Sequence, residues 1–346
     1  MAVFLHSEMF SGSEVYGLGL ARNLSLLGAD VRVYIPEEHK YGADSGLGEI
    51  NSWLERHGLN SIERAPYTAG AAFLHLDQER RDAETERLDT FIRERGIGVV
   101  ICSGFMPVFA VDATRRSYRV YQALFQPSAY DIADLSYLRG RVDGILSDCE
   151  WSLSHFARVS EVPSRVVRTS LPLNESVATP VRTQPQWASG PVRIAIGGTL
   201  QPRKRQLEAV LAVSALRDAG YDVELNIYGY ALSVLDAYVR QIDEQIEKLH
   251  LESRVRRCGL VQLGEIAANN DIILSASLDE SLPQTLLELL RCGLVGAGVL
   301  SGGIDEILTD SVTGYLTHDA SVDGIAAVLK RAIDDRANWP DLIRET

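Results

Sequence analysis

Two helix-covered parallel sheets, one in each half of the chain, are the architecture this sequence predicts, and three observations predict it. Short apolar runs alternate with longer segments of helical period in both halves. A proline-rich stretch with little periodicity separates the halves. The 346 residues also exceed what one compact core usually serves. In the first half the rhythm runs Ala2–His6, Glu14–Leu27, Val31–Ile35, Gly98–Ser103 and Arg119–Phe125. In the second it runs Val192–Gly197, Arg205–Ala219, Val223–Tyr228, Ile266–Asn269, Ile272–Ala276, Pro283–Cys292 and Ile325–Asp334. The stretch Glu175–Pro191, with three prolines, is the expected linker, which divides the chain into domains at 1–178 and 179–346. Two such α/β lobes are expected to face a shared cleft at the carboxyl ends of their strands, where open α/β sheets bind ligands.

Composition narrows the class. Hydrophobic residues make up 46% and charged residues 23%, enough apolar surface for two cores. The net charge of −13 is shared by both halves and disfavours nucleic acid or an anionic bilayer as the main partner. No apolar run approaches the roughly 18 residues of a membrane helix, and the start lacks the basic region of a signal peptide, so a cytoplasmic chain without a transmembrane segment is expected. Cys102, Cys149, Cys258 and Cys292 are widely spaced and read as reduced, partly buried thiols.

Three segments carry candidate chemistry. The first strand runs into Ser11-Gly12-Ser13-Glu14 and a helix, which points backbone N–H groups above the strand end. Gly17-Leu18-Gly19 does not complete a dinucleotide fingerprint, which removes the main support for a nicotinamide dehydrogenase. The second segment, Gly197-Gly198-Thr199-Leu200-Gln201-Pro202-Arg203-Lys204-Arg205, lies between a buried strand and a helix that Pro202 is suited to open. Three cations in a first helical turn oppose the helix dipole, by about 0.3–1 kcal/mol each, unless an anion binds there. Salt bridges to nearby acids are the alternative reading of these cations.

The third segment follows the strand Ile272–Leu274 and contains Glu280-Ser281-Leu282-Pro283-Gln284-Thr285, with Glu288 further on. Ser281 and Gln284 have capping-box spacing, so a helix is expected to start near Ser281, with Glu288 about two turns inside it. Two carboxylates separated along a helix start, with free N–H groups between them, suit a long ligand with hydroxyls at both ends and phosphate in the middle.

In their order and spacing these segments resemble glycosyltransferase family 4, across nearly the whole chain. The resemblance also rests on Gly302-Gly303-Ile304-Asp305-Glu306-Ile307 and Thr313-Gly314-Tyr315-Leu316. It implies the GT-B fold of two Rossmann-like lobes and a Glu-x7-Glu signature at Glu280 and Glu288. It implies a retaining transfer of a hexose-type sugar from a nucleoside diphosphate sugar to a hydroxyl acceptor, independent of metal. By the resemblance Arg203 and Lys204 bind the donor diphosphate, Glu280 meets the sugar hydroxyls, the backbone from Ser281 through Thr285 holds phosphate and hexose, and Glu288 grips the ribose. Gly198, Thr199, Gly229 and Leu260 complete the expected donor contacts, while Gly12, Ser13 and Gln126 are the expected contacts in the first lobe. No cofactor is expected, because a UDP- or GDP-linked sugar is a substrate. The acceptor would be a carbohydrate, a lipid-linked sugar or a protein.

Three departures accompany the resemblance. Gln126 stands where relatives carry a strand-end His, and His6 near the first strand end reads more readily as structural. Val295-Gly296-Ala297-Gly298 replaces a bulkier run and is expected to loosen a strand near the donor site. The chain stops after Trp339–Thr346, where relatives continue into another helix, so a larger chain or complex is an expected context. A non-catalytic sugar-nucleotide-binding subunit and a GT-B epimerase are the competing readings.

Overall fold

The computed structural model describes residues 1–7, 12–37, 46–68, 73, 75–104, 106–130, 132–169, 190–231 and 235–345. The expected linker at 175–189 and Ser11 lie outside the described residues. Two compact units, Met1–Leu171 and Pro172–Thr346, divide the chain.

Strands that are apolar on both faces need cover on both faces, and each unit supplies it with helices. In the first unit β1 (Ala2–Phe4), α1 (Gly12–Leu26), β2 (Arg32–Pro36), α2 (Leu47–Arg56), β3 (Glu63–Ala65) and α3 (Gln78–Glu94) come first. Then follow β4 (Val99–Ser103), β5 (Arg119–Ala123), α4 (Ile132–Tyr137), β6 (Gly144–Ser147), α5 (Glu150–Ser160) and β7 (Ser164–Val166). Among the described residues the strands form one parallel sheet in the order β3-β2-β1-β4-β5-β6-β7. Side chains alternate between its faces: Val3 joins the core under α1 and α2, while Ala2 and Phe4 join the core under α3 and α5.

The second unit is built from β8 (Val192–Gly197), α6 (Gln206–Asp218), β9 (Val223–Tyr228), α7 (Asp236–Lys248), β10 (Val255–Gly259), α8 (Leu263–Asn269) and β11 (Ile272–Ser275). It continues with α9 (Gln284–Arg291), β12 (Val295–Val299), β13 (Gly314–Thr317), α10 (Val322–Asp334) and α11 (Trp339–Glu345). Its described strands form a parallel sheet in the order β10-β9-β8-β11-β12-β13. Ile194 and Ile196 face the core shared with α6, α7 and α10; Ala195, between them, faces the core of α8 and α9. Both sheets have the Rossmann order, which reverses direction beside the first strand of each unit, between β1 and β4 and between β8 and β11.

The glycines of β12 do not loosen it. All five of its residues are buried. A Cβ on Gly296 would lie 2.8 Å from Leu308 and 2.9 Å from Leu290, and one on Gly298 would lie 2.6 Å from Ile304. The absent side chains let α9 and the 304–308 segment pack tightly on the strand, so the glycines serve close approach.

At the opposite end of the switch-point strands, Asp271 and Arg193 form a lock between β11 and β8. The fully buried Asp271 carboxylate accepts from the Arg193 backbone N–H (2.9 Å), Nε (3.1 Å) and Nη2 (2.8 Å), and the Asp271 N–H donates to the Arg193 carbonyl (2.8 Å). Asp271→Ala leaves the guanidinium and a strand N–H without their acceptor. It is expected to lower stability by about 2–5 kcal/mol, read as a drop in the urea midpoint; an unchanged midpoint would show that the lock contributes nothing.

Candidate functional site

The segment after β8 is shaped by backbone conformations that glycine allows. Gly198 has φ +125°, and its N–H donates to the Tyr228 carbonyl (3.0 Å). Gly229 has φ +130°, and a Cβ there would lie 2.0 Å from the Gly198 carbonyl oxygen. The turns after β8 and β9 therefore meet backbone to backbone. Gln206 Nε2 donates to the Thr199 carbonyl (3.2 Å), and Tyr238 Oη donates in turn to Gln206 Oε1 (3.3 Å).

Pro202–Lys204 form a 3-10 turn, and α6 begins only at Gln206. This corrects the expectation of three cations in one helical turn. Arg205 adopts φ +59°, which ends the 3-10 turn and redirects the chain before the helix starts. Its guanidinium is used locally: it donates to the Ala320 carbonyl and pairs with Glu208 at 3.4 Å. Arg203 and Lys204 are turned the other way, toward the segment that follows β11.

There Ser275, Ala276 and Ser277 are buried, and the Leu278 N–H donates to the Arg203 carbonyl (2.8 Å), tying the two segments together. Asp279 has φ +53°, and its N–H donates to Ser301 Oγ (2.7 Å). The Gly303 N–H donates to the carbonyls of Glu280 (3.3 Å) and Ser281 (2.8 Å). At Gly302, φ +63°, a Cβ would lie 1.3 Å from the Glu280 carbonyl oxygen, so only glycine fits. Ser281 and Leu282 are buried, and Pro283 is the N-cap of α9, which starts at Gln284. The expected start near Ser281 is thus three residues early. The Ser281 carbonyl is committed to Gly303, and Pro283 is still extended, at φ −71° and ψ 92°. Glu288 then falls one turn into α9, not two. The N–H groups of Gln284, Thr285 and Leu286 precede the first intrahelical bond, from Leu287 N–H to the Pro283 carbonyl (3.1 Å). Thr285 packs on the end of β8, since a Cβ at Gly197 would lie 2.8 Å from its methyl.

The result is a cluster on either side of the switch point. Lys204 Nζ lies 2.5 Å and Arg203 Nη1 3.3 Å from the same oxygen, Oε2, of Glu280. The side chains of Lys204 and Glu280 are each only 15% exposed. Burial acts to raise the Glu280 pKa, but the Lys204 and Arg203 charges and the Ser277 hydroxyl outweigh it and hold the carboxyl below its ordinary value. Glu288 is the opposite case. Its half-buried carboxyl makes no hydrogen bond or ion pair among the described residues, and burial, only partly offset by Arg291, pushes its pKa up to about 7.

The other expected site residues are more dispersed. Leu260, 69% exposed, follows β10. In the first unit Gly12 and Ser13 open α1, and the Ser103 hydroxyl donates to the Ser13 carbonyl (3.1 Å). Ser7 Oγ and Ser13 Oγ donate to the buried Glu14 carboxylate at 2.7 and 2.9 Å. Gln126 precedes a 3-10 turn at Pro127–Ala129 and donates to Ser128 Oγ (3.4 Å). His6 Nδ1 is buried against Gly104 without a hydrogen-bond partner among the described residues. Ser277 and Ser301, which hold the Glu280 segment, carry no signal that sequence reasoning could use. Among the described residues no group of three His, Cys, Asp or Glu side chains could hold a metal ion, and no helix is long and apolar enough to cross a membrane.

Residues 179–345 match the family model of glycosyl transferases group 1. The match covers nearly all of the second unit, where the Arg203–Lys204–Glu280 cluster lies. Over 82 residues, 23% of this chain, the sequence is 35% identical to N-acetyl-alpha-D-glucosaminyl L-malate synthase of Bacillus anthracis. Over 179 residues, 51% of this chain, it is 25% identical to the phosphatidylinositol N-acetylglucosaminyltransferase GPI3 subunit of Saccharomyces cerevisiae. These matches span 22% and 38% of the two curated relatives' own lengths. In structure the chain is similar to Anabaena Alr3699/HepE in complex with UDP, with a TM-score of 0.75 at 18% identity over 99% of this chain and 93% of that one. It is similar also to sucrose-phosphate synthase from Thermosynechococcus elongatus, with a TM-score of 0.71 at 15% identity over 100% and 92% of the two chains. The fold is GT-B.

Protonated Glu288 is stabilised by folding and ionised Glu288 is not, because its folded pKa of about 7 exceeds the ordinary carboxylate value. That contribution is full below about pH 4.5 and is lost as pH rises through 7. Glu288→Gln, which cannot ionise, should therefore gain stability over the native chain between pH 5 and pH 8, by up to about 3 kcal/mol. Thermal midpoints of both proteins across that range provide the check, and a difference that does not change with pH would contradict it.

Proposed function

We propose that this chain is a retaining hexosyltransferase of the glycosyltransferase family 4 type, which moves a hexose-type sugar from a UDP- or GDP-linked donor to a hydroxyl acceptor. The observation that carries the reading is the convergence of Arg203, Lys204 and Glu280 across the β8–β11 switch point, with the Glu288 carboxyl, unpaired among the described residues, one turn into α9. The group 1 match over the same residues supports it, as does the N-acetylglucosaminyl group in the names of both curated relatives.

In this reading the donor diphosphate lies at Arg203, Lys204 and the first N–H groups of α9. Breaking the anomeric C–O bond leaves the electron pair on the β-phosphate oxygen. Cations and helix-terminal N–H groups fixed in advance stabilise that charge most in the transition state. The acceptor oxygen attacks the anomeric carbon from the face the phosphate leaves, and its proton passes to a phosphate oxygen, so configuration is retained. Glu280 accepts from hexose hydroxyls. Glu288, ionised by the contact, accepts from both ribose hydroxyls. The first unit, with Gly12, Ser13 and Gln126, is assigned the acceptor.

Arg203→Ala or Lys204→Ala is expected to weaken UDP or GDP binding about 10- to 100-fold, the loss of one charge-assisted contact. Glu288→Ala should raise the donor KM with little change in kcat, because ribose contacts are shared by ground and transition states. Calorimetry and initial rates test both; unchanged diphosphate affinity in both cation variants would refute the reading. With Arg203 and Lys204 meeting the leaving-group charge, turnover is also expected to persist in EDTA. Activity lost to the chelator and restored by magnesium or manganese would assign that role to a metal instead.

A further inference from the structure

Arg203 and Lys204, the two cations assigned to phosphate, are not waiting free. Both contact the same Glu280 oxygen, at 3.3 and 2.5 Å, in a setting where the Lys204 and Glu280 side chains are only 15% exposed. An anion arriving at Lys204 must either displace this carboxylate or sit beside it, and at low exposure the repulsion between the two is poorly screened. The Glu280 backbone is held separately, by the Gly303 N–H and by the fit of Gly302 under its carbonyl. The segment's course does not depend on the side-chain ion pair.

Resting on the function proposed above, we propose that Glu280 is the built-in counter-ion of Arg203 and Lys204 and makes the site discriminate between nucleotide sugar and free nucleoside diphosphate. The two ligands differ in the features this carboxylate senses. The β-phosphate of a nucleotide sugar is esterified and carries one negative charge, and its hexose brings hydroxyls that can donate to Glu280. The free diphosphate ends in a phosphate whose second ionisation lies near pH 6, so it carries close to one charge more at pH 7 and offers no hydroxyl there. The donor thus replaces the Lys204–Glu280 contact with hydroxyl contacts to Glu280, whereas the product only opposes it. Once the hexose has left, the carboxylate competes with the product for Lys204 and favours its release.

The test uses inorganic pyrophosphate, which reports on the cations without a base or a sugar. Titration calorimetry at low ionic strength compares the native chain with Glu280→Gln, Glu280→Ala, Glu280→Asp, Lys204→Ala and the Lys204→Ala/Glu280→Gln double variant. Pyrophosphate is expected to bind about tenfold more tightly to Glu280→Gln and Glu280→Ala, a gain that fades at high salt. Glu280→Asp, which keeps the charge, should bind as the native chain does, and the double variant should lose most of the gain. Unchanged or weaker pyrophosphate binding in both neutral variants, with native thermal midpoints, would overturn the proposal; if both variants unfold, Glu280 is a structural residue and the proposal falls equally. A second arm compares UDP with UDP-glucose and GDP with GDP-mannose, where Glu280→Gln should shift the affinity ratio toward the diphosphate. Pyrophosphate binding with the expected pattern but no binding of any nucleotide or nucleotide sugar would keep the counter-ion and refute the transferase reading.

Discussion

The candidate site depends on one topological constraint: β8 and β11 lie side by side in parallel, yet the chain leaves their carboxyl ends in opposite directions. Two connections that diverge from neighbouring strand ends must leave a crevice between them. The Asp271–Arg193 lock at the amino ends sets the register of these two strands. It thereby fixes the height at which Gly197 and Ser275 release the chain. From those points Arg203 and Lys204 arrive from one side and Glu280 from the other, 77 and 76 residues apart in sequence and within ion-pair distance in space.

Within this crevice two glutamates of one helix approach experience opposite fields. Both lose hydration, which by itself favours the neutral acid. Glu280 regains more than it loses because two cations and a hydroxyl converge on it, and it stays charged. Glu288 has only Arg291 for partial compensation among the described residues, and burial raises its pKa to about 7. A carboxyl that folding has stripped of water without supplying a partner is suited to a ligand that brings donors of its own. One that folding has already paired must be released by its ligand. The two positions therefore answer to different parts of a donor molecule.

Backbone conformation sets how tightly these pieces fit. Gly198, Gly229 and Gly302 each adopt a positive φ where a Cβ would strike a neighbour or strain the chain; the first two bring the ends of β8 and β9 together, and Gly302 brings the segment after β12 against Glu280. Arg205 and Asp279 take left-handed conformations without being glycine. Arg205 sits between the 3-10 turn and α6, and Asp279 just before Glu280, positions where local strain is held by surrounding structure. Arg205 is held by Ala320 and Glu208, and Asp279 by Ser301.

Much of this was legible in the sequence because it rests on periodicity and local chemistry. Val192–Gly197 and Val223–Tyr228 read as strands and are β8 and β9 to the residue, the first largely apolar and the second alternating Val223, Leu225 and Ile227 with Glu224 and Asn226. The Arg203–Lys204 pair and the Glu280–Glu288 spacing marked the segments that carry the cluster, and the alternation of apolar runs with helical segments marked the two-unit α/β class. What local pattern could not decide was decided by contacts between segments distant in the chain. The start of α9 moved to Gln284 because Gly303 captured the Ser281 carbonyl, and the cations left the α6 helix because Arg205 turned left-handed against Ala320. Gly296 and Gly298, weak points by strand propensity, became close-packing positions once Leu290, Leu308 and Ile304 lay over them. Capping preference and glycine propensity amount to about 1 kcal/mol each, and a single long-range hydrogen bond or steric contact in the folded chain is enough to reverse them.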